Sequence, residues 1–294
     1  MSVVFRSSLN NLPKVWICIF LLLSKFECIG QSHTAVNKVK TGAYVTDLYD
    51  FDIEDGTFSV DFWFWTLSKS NDFDFEHHTE ILKSKDVRFE GTFFNTYSGE
   101  KFSSAKIKTK VRQTWDLRNY PFDKQTLKLS IESAEEDYSK LRFVLDEDES
   151  KLSEYLPQSL NEWDILESRF YVDSNSYQTG YGNPTLKGKS IFSTYNFEID
   201  VERKGSMLIF FKFITGLLVA FVISISTFLI KPIHTDPRFG LCVGGLFASI
   251  GNKYIIESVV PSTNQYTLLD KLHNLTFVFL FFIVLTSVIS LRIY

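Results

Sequence analysis

Residues Ile191–Arg203 read IFSTYNFEIDVER, and Lys204–Ile230, KGSMLIFFKFITGLLVAFVISISTFLI, follow without a break. In the first half Ile191, Tyr195, Phe197, Ile199 and Val201 alternate with Thr194, Asn196, Glu198, Asp200 and Glu202. This period of two marks a half-buried strand. In the second half Met207–Ile230 is interrupted only by Lys212. At about 1.5 Å per helical residue, that run crosses a hydrocarbon core of roughly 30 Å. A polar, sheet-forming half therefore leads directly into a membrane-crossing half.

Upstream the same alternation recurs. In Thr57–Trp65, Phe58, Val60, Phe62 and Phe64 share one face, with Thr57, Ser59 and Asp61 on the other. In Lys106–Trp115, Ile107, Thr109, Val111 and Trp115 alternate with Lys106, Lys108, Lys110 and Arg112, and Leu127, Leu129 and Ile131 alternate with Thr126, Lys128, Ser130 and Glu132. Turn signals at Asp55-Gly56, Ser98-Gly99 and Gly180–Pro184 separate the runs. Many short strands without helical patterns between them predict a β-sandwich over residues 32–205.

Downstream, Phe239–Val260 and Asn274–Leu291 are two more candidate spans, so residues 206–294 form a transmembrane domain with helices near 207–230, 239–260 and 274–291. At the N-terminus Arg6 and Lys14 precede the apolar stretch Val15–Leu23, which Lys25 closes. Nine helical residues reach only about 14 Å, too short to span. A basic start, a short apolar centre and Gly30 read as a signal peptide over residues 1–30. An uncleaved anchor is the alternative, and either way the sandwich is exported, extracellular or periplasmic. Lys231, Arg238 and Arg292 then fall on the cytoplasmic side, as the positive-inside rule requires. The expected site is a plasma membrane or a bacterial inner membrane.

The 31 basic and 35 acidic residues give a net charge of −4, so no cationic field serves a nucleic-acid backbone. Of the three cysteines, Cys18 and Cys28 lie in the leader and Cys242 in an apolar run, which excludes a disulfide within the sandwich. His77 and His78 are adjacent and point to opposite faces of a strand, a poor metal pair. Asp146–Glu149 lacks the spaced ligands of a calcium loop and reads as a solvated turn. No phosphate cradle or nucleophile elbow occurs. Neither an enzyme, nor a cofactor, nor a metal is expected.

The segment Trp115–Leu127, WDLRNYPFDKQTL, is the most specific of the chain. It resembles the Tyr-Pro-Phe-Asp-x-Gln-Thr-Leu segment of pentameric ligand-gated ion channels, the cys-loop receptor superfamily, in the prokaryotic form without the cysteine pair. Thr41–Tyr44 through Gly56–Asp61, Trp163–Ile165, Tyr195–Arg203, Val260–Thr263 and Leu269–Lys271 follow the family's order. The resemblance implies a homopentamer with an outer sandwich and a pore lined by the second helices. A fourth span of the family is not found before Tyr294, which leaves either a shortened frame or a protein working with three.

Polar groups at membrane depth are costly unless they face water or protein, and the second span carries several. In the family's register, counted back from Pro261, the pore face becomes Asp236, Gly240, Gly244, Phe247, Gly251, Tyr254 and Glu257 or Ser258. Rings of Asp236 and Glu257 favour cations, and Phe247 is a candidate hydrophobic gate or an ordinary packing aromatic. Arg238 opposes cation flux if it faces the pore and anchors topology if it does not. A face rotated by one residue presents Ser249, Asn252 and Ile256 instead, and a lumenal Lys253 inverts selectivity. The family usually has Ser or Thr where Gly240 and Gly244 stand.

Agonists of this family bind between subunits beneath the hairpin that is here Ser174–Ser190, where Tyr177 and Tyr181 offer cation–π surfaces. Leu67–Phe94 lacks the family's tryptophan-bearing pocket segments, so protons rival a small-molecule agonist as the stimulus. Coupling is expected where Asp52, Glu54, Asp55, the turn Tyr120, Pro121, Phe122 and Asp123, Arg203, and the loop containing Pro261 converge. The expected partners are the protein itself, the bilayer, the agonist and permeant ions. The leading reading is a ligand- or proton-gated, cation-selective channel subunit; the alternative is a non-conducting membrane sensor that keeps the fold.

Overall fold

The computed structural model describes residues 36–70, 73–186, 188–260 and 264–293. The expected leader and Pro261 lie outside the described residues. Among the described residues, ten strands precede three long apolar helices: β1 Asn37–Asp52, β2 Thr57–Ser68, β3 Thr79–Ile81, β4 Ser84–Tyr97, β5 Glu100–Arg112, β6 Lys124–Ser133, β7 Leu141–Leu145, β8 Lys151–Leu152, β9 Trp163–Tyr177 and β10 Ser190–Arg203. The short helices α1 Phe75–His78 and α2 Leu156–Ser159 and a 3-10 turn, Pro184–Leu186, interrupt them.

One sheet runs β4-β5-β2-β1-β7, with β8 alongside β1, and the other runs β3-β6-β10-β9. Every pairing is antiparallel except those of β1 with β7 and β8. The alternation read from sequence sets the packing. Phe58, Val60, Phe62 and Phe64 of β2 and Leu127, Leu129, Ile131, Tyr195, Phe197 and Ile199 of β6 and β10 are buried between the layers. Phe62 meets Phe197 edge-on at 5.5 Å, and Phe64 meets Tyr195 at 5.7 Å. Each such side chain contributes roughly 1.5–3 kcal/mol of burial. The polar face of β2 is also covered: Thr57, Ser59 and Asp61 are buried. Asp61 accepts the Tyr49 hydroxyl at 2.9 Å and lies 3.7 and 3.8 Å from the Lys106 and Lys108 ammonium groups. Long side chains of neighbouring strands close over a central strand, which alternation alone does not register.

β10 ends at Arg203 and the chain turns at Gly205, whose φ of +66° suits glycine, into α3 Ser206–Ile225. A 3-10 turn, Ser226–Leu229, extends it. The helices α4 Thr235–Val259 and α5 Leu268–Ile293 follow. Among the described residues, three helices are long and apolar enough to cross a membrane, Ser206–Leu229, Thr235–Val259 and Leu268–Ile293. α4 starts at Thr235 rather than Phe239, and α5 at Leu268 rather than Asn274. Charged residues stand in both first turns, Asp236 and Arg238 in α4 and Asp270 and Lys271 in α5, so the uncharged runs begin later. Pro237 falls in the first turn of α4, where its missing N–H costs no helical bond.

α3 and α4 approach through small residues. A Cβ at Gly216 would overlap the Asn252 amide, and one at Gly245 would overlap the Ser224 hydroxyl. Asn252 donates to the Phe213 carbonyl at 3.1 Å across this seam.

Candidate functional site

Along α4, Asp236, Gly240, Gly244, Phe247, Gly251, Tyr254 and Glu257 are all exposed in the single chain. Phe247 and Tyr254 stand 68% and 69% exposed, and nothing lies within 4 Å of a Cβ built on Gly240, Gly244 or Gly251. The rotated set points inward. Ser249 and Ile256 are buried, and Asn252 is half-buried against Gly216. The His273 ring nitrogen Nε2 meets the Ser249 carbonyl at 3.2 Å. Arg238 is also buried, donating to the Ser290 hydroxyl at 3.3 Å, while its carbonyl accepts from Thr227 at 3.3 Å. Lys253 is half-buried, 3.5 Å from the Glu257 carboxylate one turn on, so its charge offsets that of Glu257.

At the junction of sandwich and helices, the Arg203 guanidinium reaches Asp123 with Nε at 3.0 Å and Nη2 at 3.2 Å from the two carboxylate oxygens. The Asp123 side chain is fully buried and also accepts from Gln125 at 3.0 Å. The guanidinium carbon lies 4.4 Å from the Trp163 ring centroid and 5.0 Å from that of Tyr120. In the acidic loop the Asp52 side chain accepts the Asp55 amide at 2.8 Å, and the Asp52 carbonyl accepts the Trp115 indole at 3.1 Å. Phe122 packs on Phe210 of α3 at 5.4 Å. The Tyr120–Pro121 peptide is cis. A cavity of 890 Å³ at this level is lined by Asp52, Glu54, Tyr120, Arg203, Lys212 and Glu257, among others.

Sequence reading missed Gln265, in the loop between α4 and α5. Its side chain accepts the Leu117 amide at 2.8 Å and donates to the Trp115 carbonyl at 2.6 Å, joining the helical half to the WDLRNYPFD segment. A lone loop glutamine carries no pattern that would have singled it out.

It also missed Glu132. Counted on the polar face of β6, Glu132 is buried, accepting from the Tyr177 hydroxyl at 2.8 Å, Asn175 at 2.6 Å and Thr194 at 3.0 Å. Among the described residues no cation pairs with it, and Glu80 of β3 stands directly opposite. Tyr177, Tyr181 and Phe192 form a ring trio at 5.9–6.2 Å beside it. Burial first, then the bond to Glu132, pushes the Tyr177 phenol up to about 12.

No family model matches this chain, and no curated protein matches it by sequence. The order of a β-rich domain and three apolar helices is compatible with the architecture that the resemblance implies.

Proposed function

We propose that the chain is a subunit of a homopentameric, cation-selective channel of the pentameric ligand-gated type, with α4 lining the conduit. The observation that carries this reading is the uncovered face of α4. Asp236, three unobstructed glycines, Phe247, Tyr254 and Glu257 lie on one side, away from the subunit's own helices. The carboxylates at the two ends of this face are expensive against lipid and inexpensive against water, and the glycines between them leave the width of the path open. Five copies arranged around that face enclose a wet path, narrowed at Phe247, which closes it by dewetting. Arg238 is turned into the bundle, which leaves the Asp236 side chain to set the charge of the inner mouth.

The stimulus in this reading is a small organic cation held by Glu132 and the Tyr177, Tyr181 and Phe192 rings. Binding there pulls on β9 and β10, and β10 leads through Arg203 and Gly205 into α3. Accessibility of α4 tests the arrangement. Gly244→Cys should react with a membrane-impermeant cationic thiol reagent at a rate that rises with agonist, whereas Val243→Cys should not. Equal inertness of both would remove the wet path and leave the sensor reading.

A further inference from the structure

α3 and α4 interlock at two points, and the inserted side chain comes from opposite helices at the two. Nearer the sandwich, Asn252 of α4 fills the notch left by Gly216 of α3 and donates to the Phe213 carbonyl at 3.1 Å. Farther along, Ser224 of α3 fills the notch left by Gly245 of α4, fully buried and donating to the Ala220 carbonyl at 2.9 Å. The points lie about two turns apart on both helices. α4 also packs more extensively on α3 than on α5. A slide of α4 along α3, or a turn about its own axis, would lift Asn252 out of one notch and set a residue with a Cβ against Ser224 at the other. Two reciprocal insertions therefore hold a single setting.

We infer that Asn252 and Ser224 fix the rotational setting of α4 and so decide which of its side chains meet the permeating ions. The inference rests on the channel reading above. In this setting Phe247 and Tyr254 point away from the bundle, Arg238 is held at Ser290, and Lys253 leans on Glu257. One group opposes the arrangement. The Ser249 hydroxyl is fully buried and has no hydrogen-bond partner among the described residues. A buried polar group left unpaired costs about 1–3 kcal/mol, which favours a turn of α4 that brings Ser249 to water. Lys253 stands one helical turn after Ser249 on the same side, so that turn carries it toward the path as well. A ring of ammonium groups there favours anions. Asn252 and Ser224 are positioning residues: neither lines the path, and both keep Lys253 out of it.

Thiol accessibility and reversal potentials of the full chain in lipid vesicles and planar bilayers test this. Gly251→Cys reports on the uncovered face and Ser249→Cys on the covered one, each read against the chain with its native cysteines alone. A membrane-impermeant cationic thiol reagent should modify Gly251→Cys and spare Ser249→Cys. With Asn252→Ala and Ser224→Ala together, the Ser249→Cys rate should rise about tenfold, the shift that one lost hydrogen bond allows. Gly216→Ala, which presses on the Asn252 amide from the other helix, should raise it too. In both backgrounds the currents should reverse nearer zero than those of the parent. A Ser249→Cys rate unchanged in both would overturn the inference, as would a raised rate with the parent's reversal potential. A parent that passes no current, with the thiol pattern as stated, would instead remove the channel reading beneath it.

Discussion

Arg203 and Asp123 form a two-bond fork, at 3.0 and 3.2 Å, at the point where the last strand passes into the first membrane helix. Neither partner has much water to fall back on, since their side chains are 9% and 0% exposed. Removing one side leaves a buried charge, which costs about 3–5 kcal/mol. Arg203→Ala and Asp123→Asn are each expected to lower the denaturation midpoint of the purified chain strongly. The paired change Arg203→Met with Asp123→Leu should recover much of that loss. A wild-type midpoint for Arg203→Ala would show that the pair holds nothing together.

Gln265 supplies a second link, with its amide oxygen and nitrogen serving Leu117 and Trp115 in opposite senses. Gln265→Glu can still accept the Leu117 amide but can no longer donate to the Trp115 carbonyl. Gln265→Ala is therefore expected to desensitise the response to agonist more than Gln265→Glu, with binding at the hairpin unchanged. Loss of two hydrogen bonds sets the scale at about 1–3 kcal/mol. Dose–response curves of the two variants that coincide with the parent would contradict the link.

Two adjacent glycines should respond in opposite ways. A Cβ at Gly245 overlaps Ser224, whereas one at Gly244 meets nothing within 4 Å. Gly245→Ala is expected to loosen the α3–α4 seam and lower yield or thermal stability. Gly244→Ala should gain about 1 kcal/mol of helix propensity and keep the fold. Thermal unfolding of the two variants side by side distinguishes them.

Alkaline titration reports on Glu132. Tyr177 is pushed up to about 12, by burial and then by its bond to Glu132, so its phenol stays neutral in the fold after an unfolded chain would have ionised. Its stabilisation is complete below the ordinary tyrosine value of about 10 and is lost as pH rises from there through about 12. Tyr49, held by burial and Asp61, is pushed up to about 12 as well. Phenolate absorbance should therefore show a late-titrating group that Glu132→Gln moves to lower pH. A titration curve unaltered by that change would separate the tyrosine from the carboxylate.

The alternation of Phe58, Val60, Phe62 and Phe64 was enough to place β2 and its buried face, because a period of two translates directly into a two-sided strand. The exposed set on α4 follows from the register that the resemblance implies, and its members, three and four apart, share a helical face. Side-chain reach across strands was not. Glu132 reads as one more polar residue of β6 until Tyr177, Asn175 and Thr194 close over it. The partners inside the coupling region were not legible either: Arg203 takes Asp123. Asp55 supplies its backbone amide to Asp52 instead, a local turn that satisfies the carboxylate without the arginine. Gly245 is a point of close contact between the helices, which only the neighbouring Ser224 reveals.

The central claim is that copies of this chain enclose a cation path along the α4 face. Single-channel recording across a planar bilayer, with potassium chloride more concentrated on one side, tests it most directly. Agonist-evoked currents should reverse near the potassium equilibrium potential, and Asp236→Asn should shift that reversal toward zero and lower the unitary conductance. Intact particles that pass no current under any amine or pH tried, or currents that reverse at the chloride potential, would contradict it.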